Sequence, residues 1–566
     1  MGNCLTLSPS QTRDVSKKSK ALPIETIFKL PSPIPSWPQG EGFAKGTIDL
    51  GDIEVSQISR FNKVWSTHEG GPDNLGATFF EPSPIPEGFH ILGYYSQPNN
   101  KPLFGWALAA KDNTNGSALT QPTDYALVWS SESLKIKQDG NGYLWLPTAP
   151  DGYKAAGFVV TDSPEKPPLD KVRCVRSDLT EPCEVESWLW GPGQAPSTNA
   201  DGFDVYSLRP TNRGTQALGV RVGTFVARTG GTSAPIPSTL ACLKNVNPNK
   251  YSSMPNLTQI DAVFRAYSPL VYLHPDEKYL PSSVNWYFAN GALLYKKGEE
   301  SQPVGIEPNG SNLPQGGAND GSFWLDLPVD KNAKERVKKG DLSSAQVYLH
   351  AKPMLGSTFT DLAMWIFYPF NGPARAKVEF LNISLGKIGE HIGDWEHLTL
   401  RVSNFTGELW ILYFSEHSKG KWVEASELEF GGGGSSDKPV AYASLNGHAL
   451  YEKPGLVLQG SGGIGIRNDT AKSKIVMDTA KGFAVVAGEY LGSAITEPPW
   501  VNYLRKWGPK IDYDTAEEVK KIEKVLPGKL KSAFEKFVNG LPDEIFGEDG
   551  PTGPKVKASW SGDEAI

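Results

Sequence analysis

The sequence predicts an all-β protein of several domains: an N-terminal β-prism of three sheets, then a β-sandwich-like domain that ends in a short helical tail. Three observations predict it. An aromatic pattern occurs three times in the first 230 residues, Gly and Pro are abundant (59 and 45 of 566 residues), and apolar residues alternate with polar ones over short runs. A chain of this length exceeds one hydrophobic core, so two or three domains are expected.

The repeat comes first along the chain. Trp65 leads to Ala77-Thr78-Phe79-Phe80, Pro82 and the turn Gly88 to Gly93; Trp129 leads to Tyr143-Leu144-Trp145-Leu146-Pro147 and Gly152 to Gly157. Trp190 leads to Asp204-Val205-Tyr206-Ser207-Leu208, Pro210 and Gly214 to Gly219, so the tryptophans stand 64 and 61 residues apart. Each copy reads as one small antiparallel sheet, too small to bury its own apolar face. Three such sheets close around a pseudo-threefold axis, with the Trp and Phe/Tyr positions as shared core.

These residues also carry a family resemblance. Gly152-Tyr153-Lys154-Ala155-Ala156-Gly157-Phe158-Val159-Val160-Thr161, Lys166-Pro167-Pro168 and the run from Val172 to Leu179 resemble the multivesicular-body-associated β-prism. From Phe28-Lys29-Leu30-Pro31 to Gly547-Glu548-Asp549-Gly550-Pro551-Thr552-Gly553-Pro554-Lys555, the chain is similar to the plant family of vacuolar protein sorting-associated protein sixty-two. The resemblance implies more than sorting, because fern members are insecticidal proteins active on caterpillar gut. By that resemblance the prism is a candidate receptor-binding module.

A net charge of -7 argues against general nucleic-acid binding. There is no apolar run long enough for a spanning helix, and the start lacks a basic-then-apolar leader, so secretion by that route is not expected. Met1-Gly2-Asn3-Cys4-Leu5-Thr6 instead fits N-myristoylation at Gly2. One acyl chain holds a membrane only marginally. Cys4 offers a second acylation site, and Lys17, Lys18 and Lys20 a basic cluster for anionic headgroups. Four cysteines are too few for a disulfide scaffold. Cys174 and Cys183 are placed to pair across a hairpin in an oxidising lumen, and buried free thiols are the expected state otherwise.

A Pro, Ser and Asn-rich stretch follows the prism and reads as a linker. Next come a helix over Leu257 to Tyr267 and apolar strands such as Met364-Trp365-Ile366-Phe367-Tyr368 and Leu409-Trp410-Ile411-Leu412-Tyr413-Phe414. The glycine runs at Gly431 to Gly434 and Gly460 to Gly465 read as loops. The densest chemistry is His391-Ile392-Gly393-Asp394-Trp395-Glu396-His397. On a strand Asp394 and Glu396 point to one face, Trp395 and His397 to the other. Joined by His391, and by His417 and His448 from neighbouring strands, these carboxylates make a candidate site for Ca²⁺ or Mg²⁺. Gly393-Asp394-Trp395-Glu396 is similar to the His-Asp-Trp-Glu core of necrosis-inducing plant toxins, with Gly393 in place of the motif's His. The competing reading is a buried hydrogen-bonded network. No nucleophile elbow or zinc-helix motif appears, so no catalytic residue is assigned and a metal-assisted hydrolase is the minority reading.

Thr515-Ala516-Glu517-Glu518 reads as a capping box, with Val519, Ile522 and Leu526 at helical spacing up to Pro527-Gly528. A second helix from Leu530 to Val538 completes a basic amphipathic hairpin, which either docks on its own domain or meets a membrane. The expected organisation is therefore residues 1–57 as an N-terminal segment, 58–232 as prism, 233–256 as linker, 257–505 as β-sandwich-like domain and 506–566 as helical hairpin and tail. The expected function is a non-enzymatic, membrane-targeting, insecticidal toxin-like defence protein whose prism binds a glycan or lipid receptor. Its partners would be a membrane surface and further copies of itself in a homo-oligomer, without nucleic acid. The alternative is a lipid-anchored peripheral protein of endosomal or vacuolar trafficking. In either case the native place is the cytoplasmic side of a plant membrane.

Overall fold

The computed structural model describes residues 21–38, 40, 42–194, 202–230, 235–417, 420–433, 437–461, 464–511, 513–538 and 550–564. Gly2, Cys4, Lys17, Lys18 and Lys20 lie outside the described residues.

Each repeat forms a three-stranded antiparallel sheet: Phe61–Ser66, Ala77–Pro82 and Tyr95–Pro98; then Asp124–Ser130, Tyr143–Thr148 and Val159–Thr161; then Cys183–Trp190, Phe203–Pro210 and Phe225–Thr229. In all three the ladder slips by one residue immediately before the repeated tryptophan, at Val64, Val128 and Leu189. A bulge of this kind adds one residue and local twist, which re-aims the next side chain. The three indoles consequently meet on the axis, with ring centroids 6.0 Å (Trp65 to Trp129), 5.7 Å (Trp65 to Trp190) and 5.4 Å (Trp129 to Trp190) apart.

A second set of three sheets, one of four strands and two of three, accompanies the first. Ile53–Ile58 pairs with Ala107–Asp112, Cys174–Arg176 with Tyr153–Lys154, and Cys242–Lys244 with both Thr180–Glu181 and Gly219–Val220. The prism is therefore larger than 58–232. Its first strands precede residue 58, and its last is a three-residue strand inside the stretch expected to be linker, where flanking Pro and Asn hide so short an element. The third repeat also departs from the expected spacing. Gly93 and Gly157 pack on the axis against Thr224, not Gly219: a Cβ on Gly93 would stand 2.6 Å from Gly157 Cα and 2.8 Å from Thr224 Cγ2. Cys183 meets the thiol of Cys242, with which it shares a hydrogen bond, and Cys174 is a free buried thiol.

The second domain is built on a six-stranded sheet in the order Lys421–Glu424, Leu409–Phe414, His391–Ser403, Phe359–Asn371, Val347–Met354, Phe483–Ala487. Every residue of Phe359–Asn371 is buried, because both faces of this sheet are covered. One face packs Leu349, Leu362, Met364, Leu398, Leu400 and Leu412 against the helix Leu257–Tyr267 and a second sheet that contains Leu270–Tyr272 and Lys438–Ala443. That helix starts at a full capping box, Asn256 with Gln259. The other face packs Tyr348, Trp365, Phe367 and Trp395 under Val284–Ala289, Trp500 and Trp507.

The glycine-rich stretch around residue 460 forms a hairpin, Gly455–Ser461 with Ile464–Thr470, in which Gly460 pairs with Gly465. With Arg375–Val378 and Leu381–Ser384 it makes a four-stranded sheet. The helices Thr515–Val525 and Gly528–Val538 dock there through Ile522, Leu526, Leu530 and Phe534, so the amphipathic hairpin packs on its own domain. Asp514, one residue before Thr515, is the N-cap and accepts from the Glu517 amide. Prism and second domain share one apolar core in which Trp106, Leu108 and Val220 meet Leu355, Phe359 and Trp410.

Candidate functional site

Strand His391–Ser403 organises the charged chemistry, because its alternation sends consecutive residues to opposite faces. The register places Asp394 opposite Tyr368, Glu396 opposite Ile366 and His397 opposite Trp365.

On the first face Asp394 Oδ2 lies 3.0 Å from His448 Nδ1, and Glu277 Oε1 lies 3.7 Å from Nε2 of the same ring. Tyr368 stacks on that imidazole with centroids 3.9 Å apart. Glu277 is fixed in turn by the amides of Lys278 and Tyr279 on Oε1 and of Asn446 on Oε2. Burial opposes charge on His448, but the Glu277 carboxylate and the hydrogen bond to Asp394 prevail and raise its pKa to about 10. Against burial, His448 and His391 hold Asp394 below the usual carboxylate range. Burial and the Asp394 charge push Glu396 up to about 8, where Ser415 Oγ donates to it at 2.9 Å. His391 is half-buried, lies 3.0 Å from Gly393 O through Nδ1, and has its pKa lowered by burial. His417 lies in the loop after Leu409–Phe414, its amide donating to Tyr451 Oη at 3.3 Å.

The structure thus joins Asp394 to His448 directly and sets Glu396 and His391 within electrostatic reach. Among the described residues no three His, Cys, Asp or Glu side chains are arranged to hold a metal ion. Asp394 and Glu277 face the His448 imidazole, so this donor set does not fit a divalent cation without displacing it. Sequence reasoning missed Glu277, which arrives from a loop more than a hundred residues upstream; its only signal is the polar run His274-Pro275-Asp276-Glu277.

On the opposite face His397, Thr399 and Arg401 meet the segment from Lys557 to Glu564. Glu564 accepts from Thr399 Oγ1 at 2.5 Å and lies 3.0 Å from His397 Nε2. Arg401 makes two parallel bonds to Asp361, at 2.7 and 2.8 Å, and a third to Asp563 at 2.6 Å, with its guanidinium 4.4 Å over the Trp422 ring. Asp563 also accepts from Arg213 of the prism at 3.0 Å, and Arg213 reaches Glu184 at 2.5 Å. Trp560 stacks on His350 at 4.1 Å, and the buried Lys352 ammonium donates to Ser559 O at 2.6 Å. These contacts span prism, central sheet and final segment, a convergence no local motif signals.

Beside this network lies a cavity of about 570 Å³ between the prism and the sheet edge, lined by Tyr95, Trp188, Arg209 and Arg221 on one side and Arg401, Trp410 and Trp422 on the other. Asp563 forms part of its wall.

A family model described as vacuolar protein sorting-associated protein 62 matches residues 24–564. No curated protein matches. Among solved structures, GNIP1Aa from Chromobacterium piscinae is 20% identical over 34% of this chain and 37% of its own, with a TM-score of 0.27. A structure described as "Toxin fold as basis for microbial attack and plant defense" is 13% identical over 35% of this chain and 71% of its own, TM-score 0.19. NLPPya in complex with glucosamine is 14% identical over 34% of this chain and 67% of its own, TM-score 0.20. The chain spans little more than a third of the length of GNIP1Aa.

Proposed function

Because the chain belongs to the vacuolar protein sorting-associated protein 62 family, we propose that it is a non-enzymatic, toxin-like defence protein directed at membranes, in which the prism binds a glycan or lipid receptor. The cavity at the junction carries this reading. Its walls pair indole and phenol rings with arginines, the combination that stacks on a sugar face while giving forked hydrogen bonds to its oxygens. The insecticidal activity that the family resemblance implies supplies the biological direction.

The second domain is the part that acts at the membrane. Its four-stranded sheet ends in a hairpin whose Phe380 is 75% exposed, and its edge strand leaves Leu456 and Val457 exposed as well. The docked helices add exposed Lys520, Lys524, Lys531 and Lys536. Apolar tips beside basic residues favour an anionic lipid surface. Against an enzyme stands the geometry of His448, whose two ring nitrogens face carboxylates while its ring lies under Tyr368. That arrangement leaves it no substrate to deprotonate.

The family description favours vacuolar trafficking as the alternative, and in that reading an acyl chain on Gly2, which the Met1-to-Thr6 pattern fits, would anchor the protein at the cytoplasmic face of an endosomal or vacuolar membrane. The two readings separate in one experiment. Unmodified recombinant protein is tested for saturable binding to caterpillar gut brush-border vesicles, with anionic liposomes for comparison and larval feeding alongside. Specific vesicle binding with mortality is the expected outcome; binding to liposomes alone, without mortality, contradicts it.

A further inference from the structure

The cavity holds a carboxylate of the protein's own. Asp563 lines it while bridging Arg213 of the prism and Arg401 of the central sheet, at 3.0 and 2.6 Å. It belongs to no strand: the segment runs from the turn Ala558–Trp560 through Ser561 and Gly562, and the Thr215 amide donates to Ser561 O at 3.0 Å. Within this network Arg209, Arg213 and Arg401 face Glu184, Asp361 and Asp563, three charges against three. Lifting Asp563 away leaves one positive charge in excess, on two guanidiniums that line the cavity and lose a carboxylate partner each. A guanidinium pair balanced by a carboxylate on an irregular segment has the chemistry to take another anion in its place.

We propose that Arg213 and Arg401 form the anion subsite of the cavity, and that Asp563 fills it as an internal competitor which a sugar bearing a carboxylate or phosphate displaces. The inference rests on reading the cavity as the ligand site and adds to it the charge of the ligand and the means of its regulation. Neutral sugar contacts only the rings and the rim. An acidic sugar gains the two guanidiniums and releases the segment from Lys557 to Glu564, which ties the prism to the central sheet. Ligand binding is thereby coupled to loosening of that tie.

The test uses the full chain and three probes: glucose, glucuronate and glucose 6-phosphate. Asp563→Asn keeps the shape of the side chain and removes the competing charge. Affinity for both acidic probes is expected to rise about tenfold, the scale of one charge-assisted hydrogen bond, with glucose unchanged. Arg213→Gln is expected to abolish the preference of acidic over neutral sugar. In the unmutated protein glucuronate is expected to accelerate hydrogen exchange at the Thr215 amide, a readout that needs no variant to fold. If all three probes bind but Asp563→Asn leaves the acidic affinities unchanged and Thr215 stays protected, the segment is a fixed clasp and the inference is overturned alone. If none of the probes binds any variant, the reading of the cavity falls with it.

Discussion

At the scale of single residues, His448 is the most consequential ionisable group in the second domain. It is a buried cation between Asp394 and Glu277, and its removal strands two buried carboxylates. His448→Gln is expected to lower the unfolding free energy by about 3–5 kcal/mol, measured by urea denaturation at neutral pH. A group whose folded pKa is raised contributes fully below its unfolded value, 6.5 here, and loses that contribution as pH climbs through about 10. The gap between His448→Gln and the unmutated protein therefore closes above that pH. Glu396 is also raised, from 4.5 to about 8, but a carboxyl held neutral weakens the fold as pH rises between those values. Glu396→Gln is accordingly expected to gain relative stability across that window and to level off above it. Alternation on a strand was readable from the sequence, and it placed Asp394 and Glu396 on one face with Trp395 and His397 on the other. What each face meets was not, because Glu277 and Glu564 lie more than a hundred residues away and arrive only through tertiary folding.

At the scale of elements, the repeated tryptophan marked three equivalent sheets, and a repeated bulge explains why each indole turns to the axis. The bulge itself has no sequence signature, which is why the alternation alone does not reveal it. The axial glycines were legible as a pattern in two repeats only, since Thr224 takes the third position after a longer connection. Gly157→Ala drives a methyl to 2.7 Å from Thr224 Cβ and is expected to cost about 1–3 kcal/mol by thermal or chemical unfolding. The helical pair was legible from its period of apolar residues, with boundaries within two residues of those found; the surface that receives it was not, because its four strands come from two separate hairpins. Phe534 is fully buried there. Phe534→Ala is expected to cost that body about 3–5 kcal/mol, seen as faster hydrogen exchange across residues 515–538 with the prism strands unaffected.

At the scale of the whole molecule, the two domains act as one body, because Trp106 and Phe359 share a core and Asp563 bridges an arginine from each side. Both domains therefore contribute walls to the cavity, and under the proposed function a ligand there would touch prism and central sheet together. The family was legible from motifs spread along the chain; the cavity was not, since Trp188, Arg221 and Trp422 belong to three elements that the sequence gives no reason to juxtapose. Under the proposed function this cavity recognises the receptor. Equilibrium binding of the full chain to caterpillar gut brush-border vesicles, compared with a Trp188→Ala, Arg221→Gln double variant of unchanged thermal stability, tests it most directly. Saturable binding that is lost in the variant is the predicted result; equal binding by both proteins, or none by either, would contradict it.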